Sequence, residues 1–254
     1  EGIEILQKII AERKDFDQAY AYLASLYKEQ KNYKKAVEVL REGYQNCPTS
    51  YKIITTFGIF LTEVRRYDAA INILMEGLAL IDYDPDIWNY LGVAYWKKGD
   101  YEEALEALSR SLALDNNYPI VINNIGSVYL SQFLKTRQQR FLQKALENFK
   151  KAIELDPNYS SAYNGLGAAY RNTGNIERAI LCWEKSVKLN PDLGFALYNL
   201  GIAYLETGEK LKALDALTKY KKKNYSILSQ KEKDKLDALI QKCGGNREGL
   251  SHES

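Results

Sequence analysis

One unit of 34 residues recurs along this chain, and a chain written that way can fold only by stacking one supersecondary unit on the next. Its clearest copy is Pro85 to Tyr118, PDIWNYLGVAYWKKGDYEEALEALSRSLALDNNY. Trp88, Leu91, Gly92 and Tyr95 fall at i, i+3, i+4 and i+7, one stripe of a helix. A turn at Gly99-Asp100 follows, and Tyr101, Ala104, Leu108 and Ser111 form the stripe of a second helix. Small residues at Gly92, Ala104 and Ser111 let the two backbones approach, while Trp88, Tyr95, Tyr101 and Leu108 fill the space around them.

The same set returns in register. Tyr20, Leu23, Ala24, Tyr27, Ala36, Leu40 and Pro48 carry it in 17–50. Residues 51–84 hold a degenerate copy with Ile54, Phe57, Gly58, Ala70 and Leu74. After 85–118 come 119–159, then 160–193 with Leu166, Gly167, Tyr170, Ala179 and Pro191, and 194–227 with Leu200, Gly201, Tyr204, Ala213 and Leu217. This pattern resembles the tetratricopeptide repeat (TPR), whose signature is Trp-x2-Leu-Gly-x2-Tyr, then Ala-x3-Phe, then Pro. The resemblance implies an all-α fold, a right-handed α-solenoid of TPR helix-turn-helix repeats closed by a C-terminal capping helix. Six repeats are expected over 17–227, with 1–16 as the second helix of a preceding repeat, cut from a longer chain. Such a cut would expose Ile5, Leu6, Ile9 and Ile10 unless something covers them. A second copy is one candidate, giving a homodimer through this N-terminal helix.

The unit 119–159 departs from the others. Ala145 follows Tyr129 by 16 residues, where Ala104 follows Tyr95 by nine, so seven residues are inserted. Apolar positions continue through Phe133 and Leu134 and resume at Phe141 and Leu142, which predicts a longer hairpin tipped by Lys135-Thr136-Arg137. Two readings stand beside each other: these side chains only pack on one another, or the tip is a docking knob made basic by Lys135, Arg137, Arg140 and Lys144. Past the last repeat, Ser229-x-x-Glu232 is a capping box that predicts a solubilising helix over 228–243, with Leu236, Leu239 and Ile240 on its apolar face. A terminal repeat needs such a cover. Residues 244–254 read as a disordered polar tail.

Composition narrows the chemistry. With 35 basic against 33 acidic residues the net charge is +2, which gives no overall pull toward nucleic acid or membrane. No apolar run approaches the ~20 residues of a membrane span. The only histidine, His252, lies in the tail, which excludes histidine-based catalysis or metal binding from the repeats. There is no G-x-x-x-x-G-K-[ST] and no H-E-x-x-H, and Gly165-Leu-Gly167 sits inside a helix pattern rather than after a strand. Cys47, Cys182 and Cys243 are widely spaced and read as small apolar residues. No catalytic residue, cofactor or metal is therefore expected. A cytoplasmic location is favoured, though the chain does not begin with Met and its first residues bear on no signal.

Binding remains. In TPR proteins the first helices line a concave groove that receives an extended peptide or a helix. Carried onto this chain, repeat positions 2, 5, 6, 9, 12 and 13 place Tyr22, Lys28, Asn89, Tyr90, Trp96, Asn123, Asn124, Asn164, Arg171, Tyr198 and Asn199 on that face. The amides can donate to and accept from a peptide backbone, and the aromatics offer anchors. The alternative is that the asparagines bond between neighbouring first helices. Position 5 holds Ala21, Thr55, Asn89, Asn123, Asn164 and Tyr198, so the lysine that would clamp a chaperone's C-terminal carboxylate is missing. The expected function is a protein-interaction scaffold in a bacterial setting. The competing readings are a non-catalytic TPR region that positions or dimerises a larger protein, similar to repeat tails behind sulfatase-type hydrolases, and nucleic-acid binding.

Overall fold

The computed structural model describes residues 1–244; the expected tail and His252 fall outside them apart from Gly244. Fourteen α-helices and no strand occur among the described residues. In order they are α1 (Gly2–Glu12), α2 (Asp17–Glu29), α3 (Tyr33–Asn46), α4 (Tyr51–Glu63), α5 (Tyr67–Leu80), α6 (Pro85–Lys98), α7 (Tyr101–Leu114), α8 (Pro119–Thr136), α9 (Gln139–Leu155), α10 (Ser160–Asn172), α11 (Ile176–Leu189), α12 (Gly194–Glu206), α13 (Lys210–Asn224) and α14 (Gln230–Lys242). The chain forms two compact units, 1–124 and 125–254.

In the first unit, α2 packs on α3, α4 on α5 and α6 on α7, and each pair packs on the next. Polar residues define where these helices begin. Asn32 accepts from the Lys35 backbone N–H at 3.2 Å, and Asp84 accepts from those of Asp86 and Ile87 at 2.8 and 3.0 Å, ahead of Pro85 in the first turn. One continuous core runs from Ile10 through Tyr20, Leu40, Ile53, Leu74, Ile87 and Leu91. Within α6 and α7 the small residues do what their spacing implies. A Cβ on Gly92 would lie 2.6 Å from Leu108 Cγ, so the close approach depends on that glycine. The α1 helix is better covered than its sequence suggests. Ile10 is buried and Leu6 and Ile9 pack against the core, because these residues share a face turned to α2; only Ile5, at 52% exposure, stands out.

In the second unit, α9 packs on α10, α10 on α11, α11 on α12 and α12 on α13. One core gathers around Trp183, Leu200 and Leu217, another around Phe133, Leu142, Phe149 and Leu166. The seven extra residues are divided between two helices: α8 has 18 residues and α9 has 17, against 14 in each of α6 and α7. Their turn is only Arg137 and Gln138. The last helix, α14, starts at the Ser229–Glu232 capping box and packs on α13 through Leu236, Leu239 and Ile240.

Candidate peptide-binding face

The first helices pack side by side as well as on their own partners: α2 on α4 and α4 on α6 in the first unit, α10 on α12 in the second. That second contact uses residues the helical wheel assigns to the open face. Ala21, Thr55, Asn89 and Asn123, all at repeat position 5, are buried, Asn89 to 4%. The face is therefore narrower than expected, because position 5 turns toward the following helix instead of solvent.

The amides meet one another. Asn124 Nδ2 donates to Asn89 Oδ1 at 2.8 Å, and in the second unit Asn199 Nδ2 donates to Asn164 Oδ1 at 3.3 Å. Both bonds join residues 35 apart. Two charged residues named from sequence are engaged at that same spacing: Lys28 Nζ lies 2.6 Å from Glu63, and the Arg171 guanidinium holds Glu206, its Nε donating at 3.3 Å. The pairs sit where each cation bridges two neighbouring first helices.

Aromatic residues stay more open. Tyr22 is 55% exposed, with Lys52 Nζ 5.3 Å above its ring. Tyr90 is half-buried, and so is Trp96, which carries Lys97 Nζ 3.8 Å over its ring; burial pushes the Lys97 ammonium below its ordinary range. A cleft of about 120 Å³ between α2 and α4 is lined by Ser25, Lys28, Thr56, Ile59 and Glu63. In the second unit Phe195 is 74% exposed. Tyr198 is half-buried against Tyr220, ring centroids 5.2 Å apart, with Lys235 over it at 5.8 Å.

A group that helix periodicity did not reveal lies beside Tyr90. Tyr118 donates its hydroxyl to Asp86 Oδ1, and Tyr51 donates to Asp86 Oδ2 at 3.5 Å. Burial, and then the carboxylates of Asp84 and Asp86, raise the Tyr51 and Tyr90 hydroxyls above their usual pKa; for Tyr118 burial and the Asp86 hydrogen bond do the same. The signal was available in sequence, since Tyr51 and Asp86 are again 35 apart.

The three cysteines are free, and burial pushes the Cys182 thiol up to about 11. Among the described residues no three His, Cys, Asp or Glu side chains are placed to hold a metal ion, and no helix is long and apolar enough to cross a membrane.

Residues 85–118 and 160–193 match one tetratricopeptide repeat model, 17–49 and 182–215 match two others, and 141–174 matches a TPR repeat model. Together these matches cover more than half of the chain. The chain is a tetratricopeptide-repeat protein. The degenerate unit 51–84 lies outside every match, although α4 packs on α5 as α2 does on α3 and α6 on α7. No curated protein matches the sequence. Among solved structures, a tetratricopeptide repeat protein from Parabacteroides merdae has a TM-score of 0.74 at 15% identity, over 96% of this chain and 91% of that one. Human IFIT1, a dimer with PPP-AAAA, gives 0.72 at 18% identity over 94% of this chain and 58% of its own. The APC/C hetero-tetramer Cut9-Hcn1 gives 0.71 at 17% over 94% of this chain, which spans only 45% of that chain. At these identities the likeness is one of fold. The TPR architecture is a non-catalytic scaffold suited to protein and peptide interaction.

Proposed function

We propose that this TPR protein is a scaffold that grips a segment of a protein partner, extended or helical, along the first-helix faces of its repeats. The observation that carries the reading is the set of aromatic side chains on these helices that reach solvent: Tyr22 and Phe195 are exposed, and Tyr90, Trp96 and Tyr198 are half-buried. Rings of this kind dominate interface energetics because they bury much area for few rotatable bonds. Asn124, Asn164 and Asn199 are half-buried, and the single bond of each amide pair leaves further donor and acceptor capacity toward a peptide backbone. Asn89, being buried, contributes by accepting from Asn124 on the neighbouring helix, and Asn123 is buried as well. Lys28 and Arg171 contribute through the pairs they make with Glu63 and Glu206.

The test is a capture experiment from source-cell lysate with the full chain as bait, beside a bait carrying Tyr22→Ala and Phe195→Ala. Both residues are exposed, so the altered bait keeps its fold. A protein retained by the first bait and lost from the second supports the proposal. Equal retention by both removes the site from these faces.

A second reading, a repeat region that places or dimerises a longer protein, draws support from α1. There Ile5 is an exposed apolar residue on an amphipathic helix. Concentration-dependent sedimentation, abolished by Ile5→Glu, would be its signature; a monomer at every concentration removes the dimer.

A further inference from the structure

Besides the first-helix faces, the second unit carries a surface built on different residues: the tip of the α8–α9 hairpin. The seven residues that lengthen it are not needed to stack a repeat, since α6 with α7 and α10 with α11 close without them. What they add is charge of one sign. No Asp or Glu occurs between Asp115 and Glu147, while Lys135, Arg137, Arg140 and Lys144 all fall there and all four are exposed.

These cations are held rather than loose. Arg137 lies over the Phe133 ring at 5.8 Å, Arg140 over Phe141 at 4.7 Å and Lys144 over Tyr129 at 5.0 Å. Tyr129 and Phe141 stack on each other with centroids 6.3 Å apart, and Phe133 and Leu142 anchor the hairpin in the core beneath. None of Arg137, Arg140 and Lys144 belongs to an ion pair among the described residues. Arg140 and Lys144 are one helical turn apart on α9, and Arg137 sits in the turn before it. Next to them Leu134 is 47% exposed.

We infer that this tip is a docking site for an acidic segment of a protein partner, its carboxylates on Arg137, Arg140 and Lys144 and an apolar side chain on Leu134. Each cation rests over its own ring, which limits how far it can wander before anything binds. A single-stranded nucleic acid would need open rings for its bases to stack on. Here the rings are taken, Tyr129 by Phe141 and Lys144, Phe141 by Arg140. An exposed leucine among the cations also matches a peptide better than a phosphate backbone.

The test is fluorescence anisotropy of a labelled peptide of repeated Glu-Leu-Glu-Glu units against the full chain. A Gln-for-Glu analogue, an oligonucleotide of equal charge and anionic vesicles are run in parallel. The proposal expects the acidic peptide to bind, weakening with salt, and the Gln analogue not to bind. The combined variant Arg137→Gln, Arg140→Gln and Lys144→Gln should lose at least about tenfold in affinity with an unchanged circular-dichroism melt, since its residues are exposed. A charge-matched control, Lys222→Gln, Lys231→Gln and Lys233→Gln on the last helices, should bind as the parent does. Absence of peptide binding, equal loss in both variants, or tighter binding of the oligonucleotide or vesicles at the same salt would each overturn it. If the hairpin variant does not fold, Leu134→Ser takes its place and must weaken the acidic peptide; parent-level binding by that variant also overturns the proposal.

Discussion

Substituting Ala for Gly92 sets two opposed effects against each other at one position. In an open helix the change would stabilise by about 1 kcal/mol, because glycine gives up more backbone freedom on folding. Here the new Cβ would stand 2.6 Å from Leu108 Cγ, 2.9 Å from Leu108 Cδ2 and 3.1 Å from the Ala104 carbonyl oxygen. Leu108 is fully buried, and the last of these neighbours is backbone, so the methyl cannot be relieved by one rotamer. Overpacking of this kind costs about 1–3 kcal/mol. The sum is a net loss of about 0–2 kcal/mol after the propensity gain. Removing the obstacle should reverse the sign. Leu108→Ala alone costs about 2–5 kcal/mol through its cavity. In that background Gly92→Ala fills part of the void and should stabilise, a coupling of about 2 kcal/mol. The assay is native-state hydrogen exchange of the α6 and α7 amides in all four forms, since a repeat protein opens locally and one global midpoint would blur the effect. Strict additivity, or stabilisation by Gly92→Ala beside an intact Leu108, would refute the close-approach argument.

The turns offer a second test: Arg65 has φ 62° where Gly99, at the same position of the next repeat, has φ 104°, so Arg65→Gly should raise the stability measured by urea unfolding by about 0.5–1 kcal/mol and Gly99→Ala should lower it by a similar amount. Asn124→Ala removes the donor to the buried Asn89 and should cost about 1–3 kcal/mol, whereas Asn199→Ala, whose partner is only half-buried, should cost about 1 kcal/mol or less in the same melts. Alkaline pH should also weaken the fold. Burial and Glu76 push the Tyr44 hydroxyl up to about 12, while the unfolded chain loses that proton near its ordinary value of about 10. The unfolded state sheds the proton first, so this contribution is complete below pH ~10 and is lost as pH rises toward 12. Tyr44→Phe should flatten that part of a stability–pH curve followed by circular dichroism.

The helix pairs were legible because their determinants repeat within the chain. Gly92, Gly58 and Gly201 each face a leucine of the partner helix, Leu108, Leu74 and Leu217, and that pairing is written into the 34-residue period itself. The insertion was legible as a count, and α8 and α9 lengthen by the amount the count requires. The candidate face was legible only in part, and geometry explains why. A helical wheel for one helix separates the side facing its partner from the side facing away, but it contains no neighbouring repeat. Successive residues on a helix differ by about 100° around its axis. A first helix therefore turns position p toward the following first helix while the following helix turns p+1 back, and the meeting residues are one period plus one apart. Lys28 with Glu63, Tyr51 with Asp86, Asn89 with Asn124, Asn164 with Asn199 and Arg171 with Glu206 all obey that spacing. A search for complementary polar residues at i and i+35 would have found all five, and would have assigned Asn89 to a contact between repeats before any helix was built.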